Sequence, residues 1–256
     1  MERETVKVPV MRFSDDGAVE LADTVVREFS LTIVLNGTNL VTILCSPTEL
    51  EALAVGFLIA QGFIEHIRDI NKIWMDNQSS SIHIETTRPI DVTFKPLIAS
   101  SGERKLASPD VWKRRSSGQV TVTPSQVFAL TEEFVHTSSV FKRTGGVHSA
   151  ALCDTSSILM FHEDIGRHNA IDKIFGQCLL QGILLDQNMI ITSGRVSSEI
   201  VFKVAKGEIP ILISKSAPTD RGVALADGLG ITLIGFVRDN KMNVYTNRWR
   251  IKPDRR

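Results

Sequence analysis

Residues 189–237 alternate between short apolar runs and segments of helical composition, and this alternation restricts the fold more than any other feature of the chain. The apolar runs are MIITS (189–193), IPILIS (209–214) and ITLIGFV (231–237), separated by SSEIVFKVAKG and TDRGVALADGLG. Continuous β-branched runs joined by helices are typical of parallel strands buried on both faces. The pattern therefore predicts a parallel β-sheet with helices on both sides.

The residues before this run extend the predicted sheet. HSAALCD (148–154) and SILMFHED (157–164) are separated by a short polar turn, which predicts a β-hairpin. Residues 125–140 and 167–181 have the periodicity of helices. A hairpin followed by alternating strands and helices predicts a three-layer α/β/α main domain over residues 125–256.

The first half of the chain has a different pattern. Residues 31–36 and 40–45 are apolar, and Asn36-Gly37 between them is typical of tight hairpin turns. Residues 70–94 contain the runs KIWM, SIHIET and IDVTF, which predict two or three short strands.

A helix is expected after the first hairpin. Ser46 can cap it, Pro47 suits its first position, and Glu49 completes a capping box. The apolar residues of LEALAVGFLIAQ nearly encircle this helix, which predicts deep burial, and Gly62 predicts its end. We expect residues 1–98 to form a smaller N-terminal α+β domain.

Residues 99–124 have no clean period and many turn residues. Between residues 103 and 115 there are five basic and two acidic side chains. Two interpretations stay open: a solvated loop, or a mobile basic loop that covers an anionic ligand.

Charge and cysteine content exclude several classes of protein. The chain has 29 basic and 29 acidic side chains, so it lacks the strong positive charge of a general nucleic-acid binder. Cys45, Cys153 and Cys178 are few and far apart, which argues against a disulfide framework or a cysteine-rich zinc site. The N-terminus lacks an apolar signal region, and no apolar stretch is long enough to cross a membrane. We expect a cytoplasmic protein without a membrane or nucleic-acid partner.

Two strand-to-helix turns are candidate anion sites. The first contains Ser193, Arg195, Ser197 and Ser198, where a serine can cap the helix while backbone N–H groups and the arginine face a ligand. The second contains Lys215. Turns at the carboxyl ends of adjacent parallel strands should converge, where open α/β sheets bind ligands. The alternative is ordinary helix capping beside a surface arginine.

A third candidate follows the last strand. Phe236, Val237, Arg238, Asp239, Asn240 and Lys241 combine an aromatic ring, two cations, and an acid able to bind a guanine edge or a ribose hydroxyl. The alternative is a solvated basic tail, since seven basic and two acidic residues follow from Arg238 onward.

A fourth candidate combines two histidines that flank predicted strand ends. His148 follows paired glycines, and His168 stands in EDIGRHN beside Glu163, Asp164 and Arg167. Acidic residues at a helix start also suit the helix dipole, so capping alone explains Asp164.

Read in order, these segments resemble the FdhD family, the accessory sulfur-carrier proteins of formate dehydrogenase. The resemblance rests on TGGVHSAAL, EDIGRHNAIDK, SGRVSSEIV, KSAPT and GFVRDNKMNVYT. In the first half it rests on VPV, LNGTNLVTILCSPTELEALAVGFL and QGFI.

The resemblance implies a cytidine-deaminase-like main domain and a homodimer. It implies binding of the bis-molybdopterin guanine dinucleotide form of molybdenum cofactor, with Phe236–Lys241 as the cofactor-binding stretch. It also implies sulfur transfer to that cofactor from a cysteine desulfurase, on behalf of formate dehydrogenase. A large phosphorylated ligand also suits the two anion turns. The expected binding residues are Ser193, Arg195, Ser197, Ser198, Lys215, His148, His168 and the stretch Phe236–Lys241.

One departure bears on the chemistry. The family carries sulfur on a Cys-x-x-Cys, and the matching stretch here, Ala99–Lys105, has no cysteine. A persulfide needs a thiolate, and serine cannot form one. The catalytic residue is therefore unknown. Cys45 and Cys153 lie in predicted strands and are most simply core residues, and Cys153 is the likelier substitute of the two because it should lie nearer the predicted site. Two functions stay open: a sulfurtransferase that uses another thiol, or a cofactor-binding chaperone without sulfur transfer.

A zinc deaminase is excluded despite the implied fold. Such enzymes need H-x-E and a distant P-C-x-x-C. Here Ser149 and Ala150 follow His148, and the chain has no C-x-x-C. No metal site is expected.

Overall fold

The computed structural model describes residues 4–90 and 118–254, which form a mixed α/β fold. The predicted α/β class is confirmed. Within the described ranges the strands form one six-stranded sheet, one four-stranded sheet and a separate two-stranded hairpin.

The six-stranded sheet is built from the second half of the chain. Its strands are β7 (His148–Cys153), β8 (Ile158–Asp164), β9 (Met189–Thr192), β10 (Ile211–Ser214), β11 (Thr232–Arg238) and β12 (Lys241–Val244), arranged in the order β12-β11-β10-β9-β7-β8. Strands β9, β10 and β11 are parallel, as the alternating pattern predicts. The predicted hairpin is β7–β8, and β12 is an additional antiparallel edge strand.

Helices lie on both faces of this sheet. The helices on one face are α4 (Arg167–Gln181), α5 (Ser198–Lys206) and α6 (Asp220–Gly228), which share an apolar core with Leu152, Ile190 and Leu212. Helix α2 (Pro124–Thr137) packs on the other face. Alternate side chains of a strand point to opposite faces, so the central strands supply apolar residues to both cores.

The predicted single helix over residues 125–140 is wrong at its end. It stops at Thr137, and α3 (Ser139–Thr144) begins after a break at Ser138. The buried Ser138 hydroxyl bonds to Ser149 and to the carboxylate of Glu163. That carboxylate also accepts from the first backbone N–H groups of α3, so tertiary hydrogen bonds end one helix and start the next.

The four-stranded sheet is built from the first half. Its strands are β3 (Phe29–Leu35), β4 (Thr38–Cys45), β5 (Ile70–Asp76) and β6 (Ser81–Thr86), in the order β4-β3-β6-β5. The hairpin at Asn36-Gly37 and the strands around KIWM and SIHIET are confirmed. Of the third predicted run, IDVTF, residues 91–94 lie outside the described residues.

Helix α1 (Leu50–Gln61) lies between the four-stranded sheet and α4. A Cβ on Gly56 would stand 1.8 Å from the Asp172 carbonyl oxygen, and one on Gly176 would stand 1.8 Å from that of Ala52. The two backbones therefore meet at glycines, and this close packing buries the helix on nearly all sides, as its composition predicts.

The start of α1 differs from the prediction, whereas its end at Gly62 is confirmed. The N-cap residue is Glu49, in a left-handed conformation and without a side-chain cap. Ser46 does not cap the helix because its polar groups contact the second half of the chain. Its N–H donates to Asp164, and its hydroxyl accepts from Ile165 N.

The remaining described segments flank these sheets. Strands β1 (Thr5–Ser14) and β2 (Gly17–Val26) pair along their whole length as a hairpin. Residues 118–124 belong to the region expected as a mobile loop, but Val122 in this segment is buried and pairs with Ile251. Residues 99–117 lie outside the described residues, and the domain boundaries at 98 and 124 stay predictions. None of the helices in residues 4–90 and 118–254 combines the length and apolarity that a membrane span requires.

Candidate functional site

The candidate residues meet along the line where the parallel strands of the six-stranded sheet end. We call this line of strand ends the site edge. The parallel strands β9, β10 and β11 end there, followed by Ser193, Lys215 and the β11–β12 turn. His148 joins them because β7 runs antiparallel to β9 and starts at this edge. At about 4.8 Å per strand, the edge from β7 to β11 spans about 14 Å.

The structure brings the two predicted anion turns together. Val196 N donates to the carbonyl of Ala217 at 3.0 Å, and Thr219 N donates to that of Val196 at 2.9 Å. Ser214, which precedes Lys215, donates its hydroxyl to the Gly194 carbonyl at 2.8 Å. These bonds hold the turns after β9 and β10 in one continuous surface.

The helices that start in these turns are capped differently. Thr219 caps α6 by accepting from Gly222 N at 3.1 Å. Ser197 stands at the N-cap of α5 but makes no side-chain cap bond, so the prediction that Ser197 or Ser198 caps this helix through its hydroxyl is not met at Ser197. The Ser197 hydroxyl oxygen is buried and has no hydrogen-bond partner among the described residues.

His148 is half-buried beside Ser193. Its Nδ1 lies 3.3 Å from the Ser193 hydroxyl oxygen, and the same oxygen accepts a hydrogen bond from Ser149 N at 2.9 Å. Burial lowers the pKa of His148, and the positive charge of Arg167 lowers it further. The imidazole is therefore neutral at neutral pH and can donate or accept a hydrogen bond.

His168 lies one residue into α4. Its Nε2 is 3.5 Å from the Glu199 carboxylate in the first turn of α5. The contact links the starts of the two helices, so His168 has a structural partner at the site edge.

A cavity of about 390 Å³ opens at the β11 end of the site edge, between α2 and the β11–β12 turn. Its lining combines apolar side chains with acids and cations: Phe128, Thr131, Glu132, Val135, His136, Lys215, Val237, Arg238, Asp239 and Asn240. Four residues of the predicted stretch Phe236–Lys241 line it. The contribution of α2 could not be predicted, since periodicity does not show which strand a helix face meets.

The backbone of that stretch is unusual. Phe236 has φ 53°, within an irregularity of the β11–β12 pairing between Gly235 and Arg238. Asp239 and Asn240 have φ 50° and 53°, the signature of a two-residue type I′ turn. A bulky residue at positive φ is strained, and such strain is concentrated at functional sites. The Arg238 guanidinium lies 5.8 Å from the Phe236 ring centroid, a cation–π arrangement.

The acidic residues of EDIGRHN have structural partners. Asp164 pairs with Lys173 at 2.8 Å, both fully buried, and also accepts from Gly166 N. Asp172 of α4 is also buried, in an ion pair with Lys203 of α5.

All three cysteines are completely buried, and burial raises the pKa of each thiol to about 12. The expectation that Cys153 lies nearer the site than Cys45 is wrong. It ends β7 and pairs with Met189 at the start of β9, so it lies at the opposite edge of the sheet. Cys45 is close enough to Asp164 and Lys173 for their charges to affect its thiol, but it has no exposed surface.

Known proteins match almost the whole chain. Residues 26–252 match the model of the FdhD/NarQ family. A protein named sulfur carrier protein FdhD from Bacillus subtilis is 38% identical over 98% of this chain and 99% of its own. One of the same name from Shouchella clausii is 37% identical over 95% of both chains. A crystal structure from Desulfotalea psychrophila, described as a formate dehydrogenase accessory protein, has a TM-score of 0.83 and 26% identity, covering 97% of this chain and all of that one.

Proposed function

The chain belongs to the FdhD/NarQ family, and on that premise we propose that it is an accessory protein of formate dehydrogenase maturation. It binds the bis-molybdopterin guanine dinucleotide form of molybdenum cofactor at the site edge and passes sulfur to it from a cysteine desulfurase. The observation that carries this proposal is the convergence of the cavity, Lys215 and the two anion turns on one edge of the sheet.

The cavity has the chemistry to receive a guanine base. Its volume of about 390 Å³ lies within the usual range of small-molecule sites. The carboxylates of Glu132 and Asp239 can accept from the N–H groups of a guanine edge, and Phe128 provides an apolar surface. Lys215 and Arg238 are placed to attract the phosphates of the same ligand.

The turns after β9 and β10 suit the rest of a phosphorylated cofactor. Ser193, Ser197, Ser198 and Arg195 surround the start of α5, whose backbone N–H groups favour anions. A site edge of about 14 Å provides room for an elongated ligand with its base at the cavity.

Further parts of the proposal rest on the family resemblance. We propose a homodimer that acts in the cytoplasm. We also propose that the main domain has a cytidine-deaminase-like topology, which the antiparallel hairpin beside three parallel strands supports.

A second function is favoured by the burial of the cysteines. A persulfide carrier needs an accessible thiolate, whereas Cys45, Cys153 and Cys178 are buried with raised pKa values. In this alternative the protein is a cofactor-binding chaperone that holds the guanine dinucleotide cofactor without carrying sulfur on its own thiols. Both functions need the same site edge.

The cofactor site is tested with GDP as the probe. We expect GDP to bind the wild-type protein in calorimetry, and Arg238→Ala with Lys241→Ala to weaken it by roughly tenfold or more, since two cations are lost. Arg248→Ala with Lys252→Ala removes the same charge from exposed positions away from the cavity and should leave affinity unchanged. Absence of GDP binding to the wild type would refute the proposed site.

Sulfur transfer is tested with labelled cysteine and a cysteine desulfurase. A protein-bound persulfide that disappears when one of Cys45, Cys153 or Cys178 is changed to Ala supports the sulfurtransferase. Sulfur delivery to the cofactor without any persulfide on this protein supports the chaperone.

A further inference from the structure

Arg167 starts α4 directly after β8, and its side chain lies across the turn that follows β9. A Cβ on Gly194 would stand 3.0 Å from Arg167 Cβ and 3.2 Å from its Cδ. The glycine therefore leaves the space that the aliphatic part of the arginine occupies. The turn before α5 therefore lies against the aliphatic part of the Arg167 side chain.

Buried polar atoms that lack hydrogen-bond partners among the residues that the structure describes are found in this region. They include Arg167 Nε and the Ser197 hydroxyl oxygen. Buried donors in folded proteins are nearly always paired, and an unpaired one costs free energy unless a ligand or another group satisfies it. A cationic donor beside an uncapped helix start favours an anion.

The neighbouring carboxylates have other partners. Glu163 accepts from Ser138 and from the start of α3, and Asp164 is paired with Lys173. Glu199 lies 3.5 Å from His168. Meanwhile the charge of Arg167 reaches His148, where it helps to lower the pKa.

We propose that Arg167 and Ser197 bind a phosphate or diphosphate group at the start of α5, with His148 beside the bound anion. This inference rests on the proposed function for its natural ligand, the diphosphate of the guanine dinucleotide cofactor. The site itself has the chemistry to bind the same anion whether it is free or part of a nucleotide.

The anion site is tested with inorganic pyrophosphate, observed through the ring signals of His148 in NMR. In the wild-type protein, pyrophosphate should shift these signals saturably and raise the pKa of His148, because an anion beside the ring stabilises its protonated form. Arg167→Gln should weaken pyrophosphate by roughly tenfold to a hundredfold, and Ser197→Ala by a few-fold. Without ligand, Arg167→Gln should also raise the pKa of His148, because the positive charge that lowers it is removed, whereas Arg167→Lys, which retains that charge, should leave it lowered.

Matched substitutions and a charge-conserving variant separate binding from folding. Arg248→Gln and Ser156→Ala, both at exposed positions outside the site edge, should bind pyrophosphate like the wild type. Arg167→Lys should retain part of the affinity, since it retains the charge but not the planar donor fork. The inference would be overturned if pyrophosphate did not shift the His148 ring signals of the wild-type protein, or if Arg167→Gln left the affinity for pyrophosphate unchanged.

Nucleotide probes distinguish this inference from the proposed function. If GDP binds the wild type and Arg167→Gln weakens GDP but not guanosine, both stand. If GDP binds and Arg167→Gln changes nothing, only the inference fails. If pyrophosphate binds through Arg167 but GDP does not bind, the guanine-cofactor function fails and the anion site stands.

Discussion

Helix α4 takes part in two regions with opposite properties. Its body forms what we call the helix junction, made of the Gly56–Gly176 crossing and the buried ion pairs Asp164–Lys173 and Asp172–Lys203. Its first residue, Arg167, belongs to the site edge, where Arg167 Nε and the Ser197 hydroxyl oxygen have no hydrogen-bond partner in residues 4–90 and 118–254, and where Phe236 is strained. The same helix thus joins a region whose charges are neutralised internally to one that is prepared for an external anion.

The helix junction and the site edge should contribute differently to the stability of the folded protein. In the helix junction a lost partner leaves a buried charge, so substitutions should be severe. At the site edge some substitutions should stabilise the protein and weaken its ligand, because strained or unpaired groups at binding sites reduce stability. The following predictions test this contrast, from the largest expected effect to the smallest.

The largest effect is expected at the ion pair of the helix junction. Asp164→Ala leaves Lys173 buried without its partner and removes the acceptor for Ser46 N. We expect the free energy of unfolding to fall by about 3–5 kcal/mol, measured by urea denaturation. Asp154→Ala, which removes an exposed carboxylate bonded to a turn, should cost about 1 kcal/mol. If the two variants lost the same free energy of unfolding, the buried ion pair of the helix junction would not be more important for stability than the exposed turn.

The glycine crossing should come next. Gly176→Ala places a methyl group 1.8 Å from the Ala52 carbonyl oxygen, so the two helices must move apart. We expect a loss of about 1–3 kcal/mol in the same measurement. Gly228→Ala, in α6 with no atom within 4 Å of the new Cβ, should be neutral or slightly stabilising. A junction that accepts Gly176→Ala without loss would contradict the close packing.

At the site edge, a substitution should act in the opposite direction. Asn240→Gly replaces a residue at φ 53° by one for which this conformation carries no strain, and should stabilise the protein by up to about 1 kcal/mol. Because Asn240 lines the cavity, GDP affinity should fall at the same time. Ser80→Gly, at φ 50° in the β5–β6 turn, should raise the melting temperature without changing GDP affinity. An Asn240→Gly protein with unaltered affinity would remove this side chain from the site.

The smallest effect concerns pH. The pKa of His148 is lowered in the folded state by burial and then by Arg167, so the unfolded chain binds the proton more readily. Its contribution to stability is therefore complete above the ordinary histidine pKa of about 6.5 and is lost as pH falls through the folded pKa. His148→Gln should make the free energy of unfolding decline less steeply below about pH 6.5, measured by denaturation at a series of pH values. His136→Gln on the exposed face of α2 is the control, and an identical decline in both variants would contradict the assignment.

Local patterns predicted most of the fold of the second half. The strands and helices from His148 to Arg238 are periodic, and their sequence spacing leaves little freedom in connecting them. The patterns predicted the wrong helix cap or helix end where a side chain bonds to a residue that is distant in sequence. Ser46 has the sequence context of a cap but bonds to the β8–α4 connection, and Ser138 interrupts a helix because Glu163 binds it.

The site was predictable in outline only. Ser193, Lys215 and the stretch Phe236–Lys241 could be placed at one edge because parallel strands end together. Arg167 was named in the fourth candidate but not among the expected binding residues, since its contact with Gly194 joins residues distant in sequence. The contribution of α2 to the cavity was missed for the same reason.

By itself the sequence determined the order of strands and helices from His148 to Arg238, the family, and the absence of a Cys-x-x-Cys, because periodicity and motifs are local properties. Only the tertiary structure decided that Cys153 lies at the opposite edge from the site, since strand direction depends on pairing between distant segments. It also decided which charges are satisfied. Asp164 and Arg167 are three residues apart, yet one is buried against Lys173 and the other lies beside an uncapped helix start, because burial and pairing are set by what packs around each side chain.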